Sequence, residues 1–181
     1  MKKLPNDFAL EKYGLKVRLV NEEDSSFILN LRTNGALSRF LHSTEPDIEK
    51  QKQWIRNYKN REREGTDYYF IYHKDGVPVG LNRIYNISDY FGTIGSWICS
   101  LDNEAEVSMG TYYLMMDIFF DCIGLDLSVF DVRKGNKQVL RLHKRMGAQV
   151  VGESEQNYYF CLNRQTYYIN RDNYLQLLNI K

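Results

Sequence analysis

The chain has little of what marks a multidomain, secreted or membrane protein. Its 181 residues hold only three prolines, no Ser/Gly-rich stretch and no long run of one charge, so no linker divides it. No internal repeat is found, which excludes solenoids and propellers. No run of ~18 apolar residues is present for a spanning helix, and Met1 to Phe8 carries no apolar signal core; a protein that stays in the cytoplasm is expected. Neither charge dominates: 24 basic against 23 acidic residues leave a net charge of +1, which argues against a nucleic-acid footprint or an anionic-membrane surface. The three cysteines, Cys99, Cys122 and Cys161, are far apart and odd in number, so reduced thiols are expected rather than a disulfide framework or a zinc site. His42, His73 and His143 are too dispersed for a metal motif, and no metal is expected. GxSxG, P-loop, HExxH and paired-carboxylate signatures are all missing.

What is present is a hydrophobic content of 43%, enough for one substantial core and one domain over residues 1–181. Leu15, Val17 and Leu19 alternate with Lys16 and Arg18 as in a half-buried strand. Asn21 is placed to cap a following helix, with Phe27, Ile28 and Leu31 on one face. An irregular stretch through Asn34 and Gly35 leads to a second helix from about Pro46, ended by Gly65. Tyr68 to Tyr72 is apolar on both faces, and Asp75-Gly76 signals a hairpin into Val77 to Tyr85. A third antiparallel strand is expected over Gly92 to Ser100. Tyr112, Tyr113, Met116, Phe119, Phe120 and Ile123 then repeat at helical spacing up to Gly124. Leu125 to Val132 reads as an interior strand, parallel to the one before the helix. Asn136 caps a helix stopped by Gly147; two short strands, near Gln149 to Glu153 and Tyr158 to Leu162, and a final helix with Tyr167, Tyr174, Leu175 and Leu178 follow. The pattern predicts a mixed α/β (α+β) fold with a mostly antiparallel central sheet and helices on both faces.

Function becomes legible through resemblance. The run Phe130-Asp131-Val132-Arg133-Lys134-Gly135-Asn136-Lys137-Gln138-Val139-Leu140-Arg141-Leu142-His143-Lys144-Arg145-Met146-Gly147-Ala148 resembles a stretch of the GNAT N-acyltransferase superfamily. That stretch follows a strand with Asn, a small apolar residue, an aromatic residue or His, and Gly at these offsets. The whole element order looks like the single-domain GNAT fold. Leu31-Arg32-Thr33-Asn34 before Gln53-Trp54, and Gly95-Ser96-Trp97, are similar to the branch with ribosomal-protein N-terminal acetyltransferases and sugar-nucleotide acyltransferases.

The resemblance implies acetyl-CoA, or another acyl-CoA, as cosubstrate and a small-molecule amine as acceptor, with no nucleic-acid or membrane partner. It leaves the oligomer open, a homodimer included. Strand backbone near Ile98 and Cys99 would hold the pantetheine arm, and a helix N-terminus the pyrophosphate. The family's glycine-rich loop is degenerate here, falling on Asn103, Glu106 and Ser108 or on Ala105, Ser108 and Gly110. Val107 to Thr111 is the preferred cradle, with Ser108, Met109, Gly110 and Thr111 in it. Asn136 would set its amide beside the pantetheine, though any helix favours such a cap. His143 takes the position at which many members place a proton-donating Tyr, and an imidazole of pKa ~6.5 suits release of a thiolate of pKa ~8.5. It also shares the apolar stripe of Val139 and Met146, where a His is commonly a core residue. For the base, Asp102, Glu104 and Glu106 are candidates. The acceptor would meet Arg32, Phe40 and His42 on one side and Asn82, Arg83, Tyr85 and Trp97 on the other, a set suited to an amino sugar on a nucleotide. A protein α-amine is the alternative acceptor, and a CoA-binding module without activity the alternative class.

Overall fold

Tyr13 and Gly14, both at positive φ (56° and 67°), turn the chain between β1 (Ala9–Lys12) and β2 (Leu15–Leu19) in a computed structural model that describes residues 1–178. β1 is too short and too little alternating to stand out in sequence; it exists because β2 offers it an edge. Asn21 caps as expected, in a capping box with Asp24 around one 3-10 turn, Glu22–Asp24, that leads into α1 (Ser25–Thr33). The stretch expected to be irregular contains a further short helix, α2 (Gly35–Ser38), because Asn34 accepts from the Ala36 amide at 3.0 Å. Asp47 accepts from the amides of Glu49 and Lys50 at 2.9 and 3.0 Å and starts α3 (Ile48–Glu64).

β3 (Asp67–Lys74) and β4 (Val77–Tyr85) are joined by Asp75 and Gly76 at φ 51° and 81°, the left-handed pair a two-residue hairpin demands. Then come β5 (Phe91–Cys99), α4 (Ala105–Asp117) with a π-helical continuation Ile118–Cys122, and β6 (Leu127–Arg133). α5 (Lys137–Arg145), β7 (Gln149–Glu153), β8 (Asn157–Asn163) and α6 (Arg164–Leu178) follow. Tyr167 of α6 is in the core and Tyr174 and Leu175 pack on it, while the side chain of Leu178 and residues 179–181 lie outside the described residues.

The eight strands form one mixed sheet in the order β1-β2-β3-β4-β5-β6-β8-β7, antiparallel except where α4 carries the chain from β5 to β6. Alternation along β3 separates its faces. Tyr68, Phe70 and Tyr72 pack with α4, α5 and α6; Tyr69 and Ile71 pack with α1 and α3. Buried Asp117 ties the layers, accepting from Tyr13 Oη at 2.8 Å and Arg171 Nη1 at 2.9 Å and pairing with Lys12.

Two irregularities make room for a site. β5 and β6 pair only at Phe91↔Leu127 and Gly92↔Ser128 and then part, so no described strand covers that edge of β5 from Thr93 to Cys99. On its other edge β5 bulges: its register with β4 slips between Leu81 and Arg83, so that Ser96 and Trp97 oppose Asn82, and Ser96 takes φ 52°.

Candidate active site

Where β5 and β6 part, a cavity of about 110 Å³ opens between Gly95, Ser96 and Trp97 on one side and Phe130 to Arg133 on the other. Asn136 at the start of α5 and His143 further along it close the end, and Phe40 and Leu41 form a lip. Asn136 Oδ1 accepts from the Val139 amide at 3.4 Å, so one residue both caps the helix and faces the cavity.

The His143 ring packs on Phe130 at 4.3 Å between centroids, with Tyr112 at 5.6 Å and Phe160 at 6.3 Å. It is 5% exposed, and Nδ1 has no hydrogen-bond partner. Burial pushes its pKa down to about 3, so the imidazole is neutral at pH 7. That corrects one expectation: the pKa of His143 is held well below ~6.5, because burial among aromatic rings disfavours its charged form. Asp131 is the only carboxylate among the residues lining this cavity, a position the sequence reading passed over.

A second cavity, about 390 Å³, lies on the α1/α3 side and shares Ser96 with the first. Its wall carries Arg32, Lys50 and Arg83 against the single carboxylate Glu45, together with His42, Gln51, Trp54 and Tyr69. Arg32 donates from Nε to Thr44 Oγ1 at 2.7 Å and from Nη2 to the His42 carbonyl at 3.1 Å. Arg83 pairs with buried Asp67, which also accepts from Arg61 Nε at 3.0 Å, and lies over the rings of Trp54 and Tyr85. The Tyr69 hydroxyl is buried and makes no hydrogen bond of full geometry, though Arg32 lies beside it; burial raises its pKa to about 12, against the pull of Arg32 and Arg83.

The sequence-selected residues therefore divide. Arg32, His42 and Arg83 converge on the larger cavity; Trp97, Asn136 and His143 meet at the smaller one. Asn82 joins neither: it is fully buried on the α4 face, where its Oδ1 accepts from Tyr72 Oη, because neighbouring strand residues face opposite ways. Tyr85 lines neither cavity; its ring covers Gly95, where an added Cβ would lie 2.9 Å from it. Trp97 keeps its indole N–H on Thr111 Oγ1 at 2.9 Å.

The expected cradle is displaced. α4 begins at Ala105, so the Ser108 amide already bonds to the Glu104 carbonyl at 3.2 Å and Met109 lies inside the helix. Gly110 serves helix–sheet approach, its Cα facing Leu15, where a Cβ would come within 3.0 Å of Cδ1. Thr111 is fully buried, its hydroxyl donating to the Ser108 carbonyl at 2.8 Å and lying 3.4 Å from Cys99 Sγ. The amides free for an anion are those of the first turn, at Ala105 and Glu106. Ile98 buries its side chain in the α1/α3 core, and at Ile98 and Cys99 only backbone is left for the cleft. Asp102, Glu104 and Glu106 line neither cavity, and Glu104 lies 3.7 Å from Lys74.

Comparison with known proteins gives this cleft, flanked by a bulged strand and a helix start, its class. A family model described as an acetyltransferase (GNAT) domain matches residues 15–149. The chain is similar to apo FdhC, described as a nucleotide-linked sugar GNAT: 35% identity over 93% of this chain and 97% of that one, TM-score 0.83. Two further likenesses are of fold. The ribosomal-protein-S5-alanine acetyltransferase of Vibrio fischeri is 17% identical over 89% of this chain and 99% of that one, TM-score 0.72. The N-acetyltransferase PseH of Campylobacter jejuni is 16% identical over 83% and 99%, TM-score 0.67, and has also been solved with acetyl coenzyme A. A search of curated protein sequences gave no match. The chain belongs to the GNAT acetyltransferase family. It is an acyl-CoA-dependent N-acetyltransferase, with acetyl-CoA as cosubstrate. Among the described residues no helix is long and apolar enough to cross a membrane.

The residues present fit that cosubstrate. The uncovered edge of β5 offers amides and carbonyls to an extended arm, and the first turn of α4 offers free amides to a pyrophosphate without a side-chain cap in competition.

Proposed function

We propose that the chain transfers the acetyl group of acetyl-CoA to the primary amine of an amino sugar carried on a nucleotide. One observation carries the reading: a cationic cavity within the ~300–1,000 Å³ range of small-ligand sites adjoins, at Ser96, the cavity that ends on His143. An acceptor with an anionic part in the first can present its amine in the second. The 35% identity to a nucleotide-linked sugar GNAT supports the same acceptor class. The protein α-amine has only a likeness of fold behind it.

In this reading the amine nitrogen attacks the acyl carbon as the carbon–sulfur bond breaks and CoA thiolate leaves. Neutral His143 donates an N–H hydrogen bond to the acyl oxygen as negative charge builds there, and a donor held dry and uncharged needs no reorganisation. Asp131 takes the proton that the amine loses. Backbone along Thr93 to Cys99 and at the start of α4, together with Asn136, orients the CoA arm. The three free thiols, Cys99, Cys122 and Cys161, favour the cytoplasm as the compartment.

The test is thiol release from acetyl-CoA with a panel of amines: a nucleotide-linked amino sugar, a peptide beginning with alanine and a polyamine. Turnover concentrated on the first is expected. Preference for the peptide, or CoA binding with no acceptor used, overturns the reading.

A further inference from the structure

The cations of the larger cavity are not equivalent. Arg83 pairs with Asp67, which it shares with Arg61, and Lys50 pairs with Glu45 at 2.6 Å, whereas Arg32 has no carboxylate within salt-bridge distance among the described residues. Arg32 is nonetheless fixed, because Thr44 Oγ1 and the His42 carbonyl, both neutral acceptors, take two of its five N–H donors. Its full charge and the rest of its planar fork remain for a ligand. Beside it, Tyr69 is 2% exposed and its buried hydroxyl makes no hydrogen bond of full geometry; Arg32 lies close enough to donate to its oxygen, which leaves the O–H itself to give to a ligand. A half-buried, oriented guanidinium without a carboxylate, beside a phenol whose O–H has no acceptor, matches an anion that can turn two oxygens to the fork at once, as a phosphate group does.

We infer that the larger cavity is a diphosphate site, with Arg32 as its principal ligand and the Tyr69 hydroxyl as a second donor, and that it holds the diphosphate of the acceptor while the sugar reaches past Ser96 towards His143. The site is separate from the one for CoA, whose own pyrophosphate is the other source of the same chemistry. The inference rests on the sugar-nucleotide reading for its ligand and on the geometry of Arg32 for its place.

Calorimetric titration of the whole chain with uridine diphosphate, thymidine diphosphate and CoA, without turnover, tests it. Arg32→Gln should weaken both nucleoside diphosphates about tenfold or more and leave CoA affinity within about twofold, which also reports that the variant is folded. Arg32→Lys should recover part of the loss, since the charge returns without the fork. Tyr69→Phe should weaken the same two ligands and spare CoA. Unchanged diphosphate binding in Arg32→Gln overturns the site. So does competition between CoA and the nucleoside diphosphates, or their joint loss in a variant that melts like the parent. Diphosphate binding without acetylation of any nucleotide-linked amine would sink the proposed reaction and keep the site. Acetylation of such amines undisturbed by Arg32→Gln would do the reverse.

Discussion

His143 shows how one burial value changes a mechanism. An imidazole enclosed by Phe130, Tyr112 and Phe160 has no charged form to offer near neutral pH, so the proposed role of His143 as a hydrogen-bond donor does not depend on titration. His143→Ala is expected to lower kcat about 10²-fold or more, by the same factor at pH 6 and pH 8. A factor that fades as pH rises through ~6.5 would restore the protonated acid. The same burial links to stability, with a definite sign. The folded pKa of about 3 lies below the unfolded value of ~6.5, so the unfolded chain binds the extra proton between them. Stability contributed by this site is intact above pH ~6.5 and falls as pH drops towards 3, by up to ~1.4 kcal/mol per pH unit. Urea unfolding of His143→Leu against pH should show a shallower acid decline than the parent. At this scale the sequence was legible in part. Spacing brought His143 and Asn136 to one end of the cleft, but enclosure by rings from α4, β6 and β8 is a tertiary fact that no local pattern carries. Placing Asn82 beside Arg83 in one site was avoidable, since adjacent strand positions face opposite ways and only Arg83 lines the cavity.

At the scale of elements, the strongly periodic pieces were readable and the caps marked most ends. Gly65, Gly76, Gly124 and Gly147 all take positive φ where the sequence puts a stop or turn. The start of α4 was not readable, because the cap is Glu104, which makes no side-chain bond, and not Asp102 or Asn103 just before it. The expected cradle was therefore set at Ser108 and beyond, whereas the amides without an intrahelical partner are those at Ala105 and Glu106. The bulge at Ser96 did leave a trace, a glycine inside a strand at Gly95, but the trace does not say which way the strand turns. Gly147 offers a direct test of how α5 is held. At φ 86°, an added Cβ would lie 2.4 Å from Thr166 Cγ2 and 2.7 Å from Asn170 Nδ2, both on α6. Gly147→Ala should cost about 2 kcal/mol or more in urea unfolding, from left-handed strain together with the clash. A loss below ~0.5 kcal/mol would mean that α6 does not pack there.

At the scale of the molecule, one sheet makes both cavities. Parting of β5 from β6 opens the cleft that ends on His143, and the bulge on the opposite edge of β5 brings Ser96 to the wall of both. α1 and α3 supply Arg32, Lys50 and Trp54 from one face; α5 supplies His143 from beyond the gap. Net charge concealed this arrangement, since a chain with a balance of +1 still gathers three cations against one carboxylate in a single cavity. In the proposed reaction the acceptor is recognised in the cationic cavity and acetylated in the other, so a nucleoside diphosphate on the sugar must raise its reactivity. The most direct measurement is the ratio of kcat/KM for an amino sugar linked to a nucleoside diphosphate over the same amino sugar free, at one acetyl-CoA concentration. A ratio of about 10² or more is predicted, falling as ionic strength rises. A ratio near one, indifferent to salt, would rule out recognition of the nucleotide in that cavity.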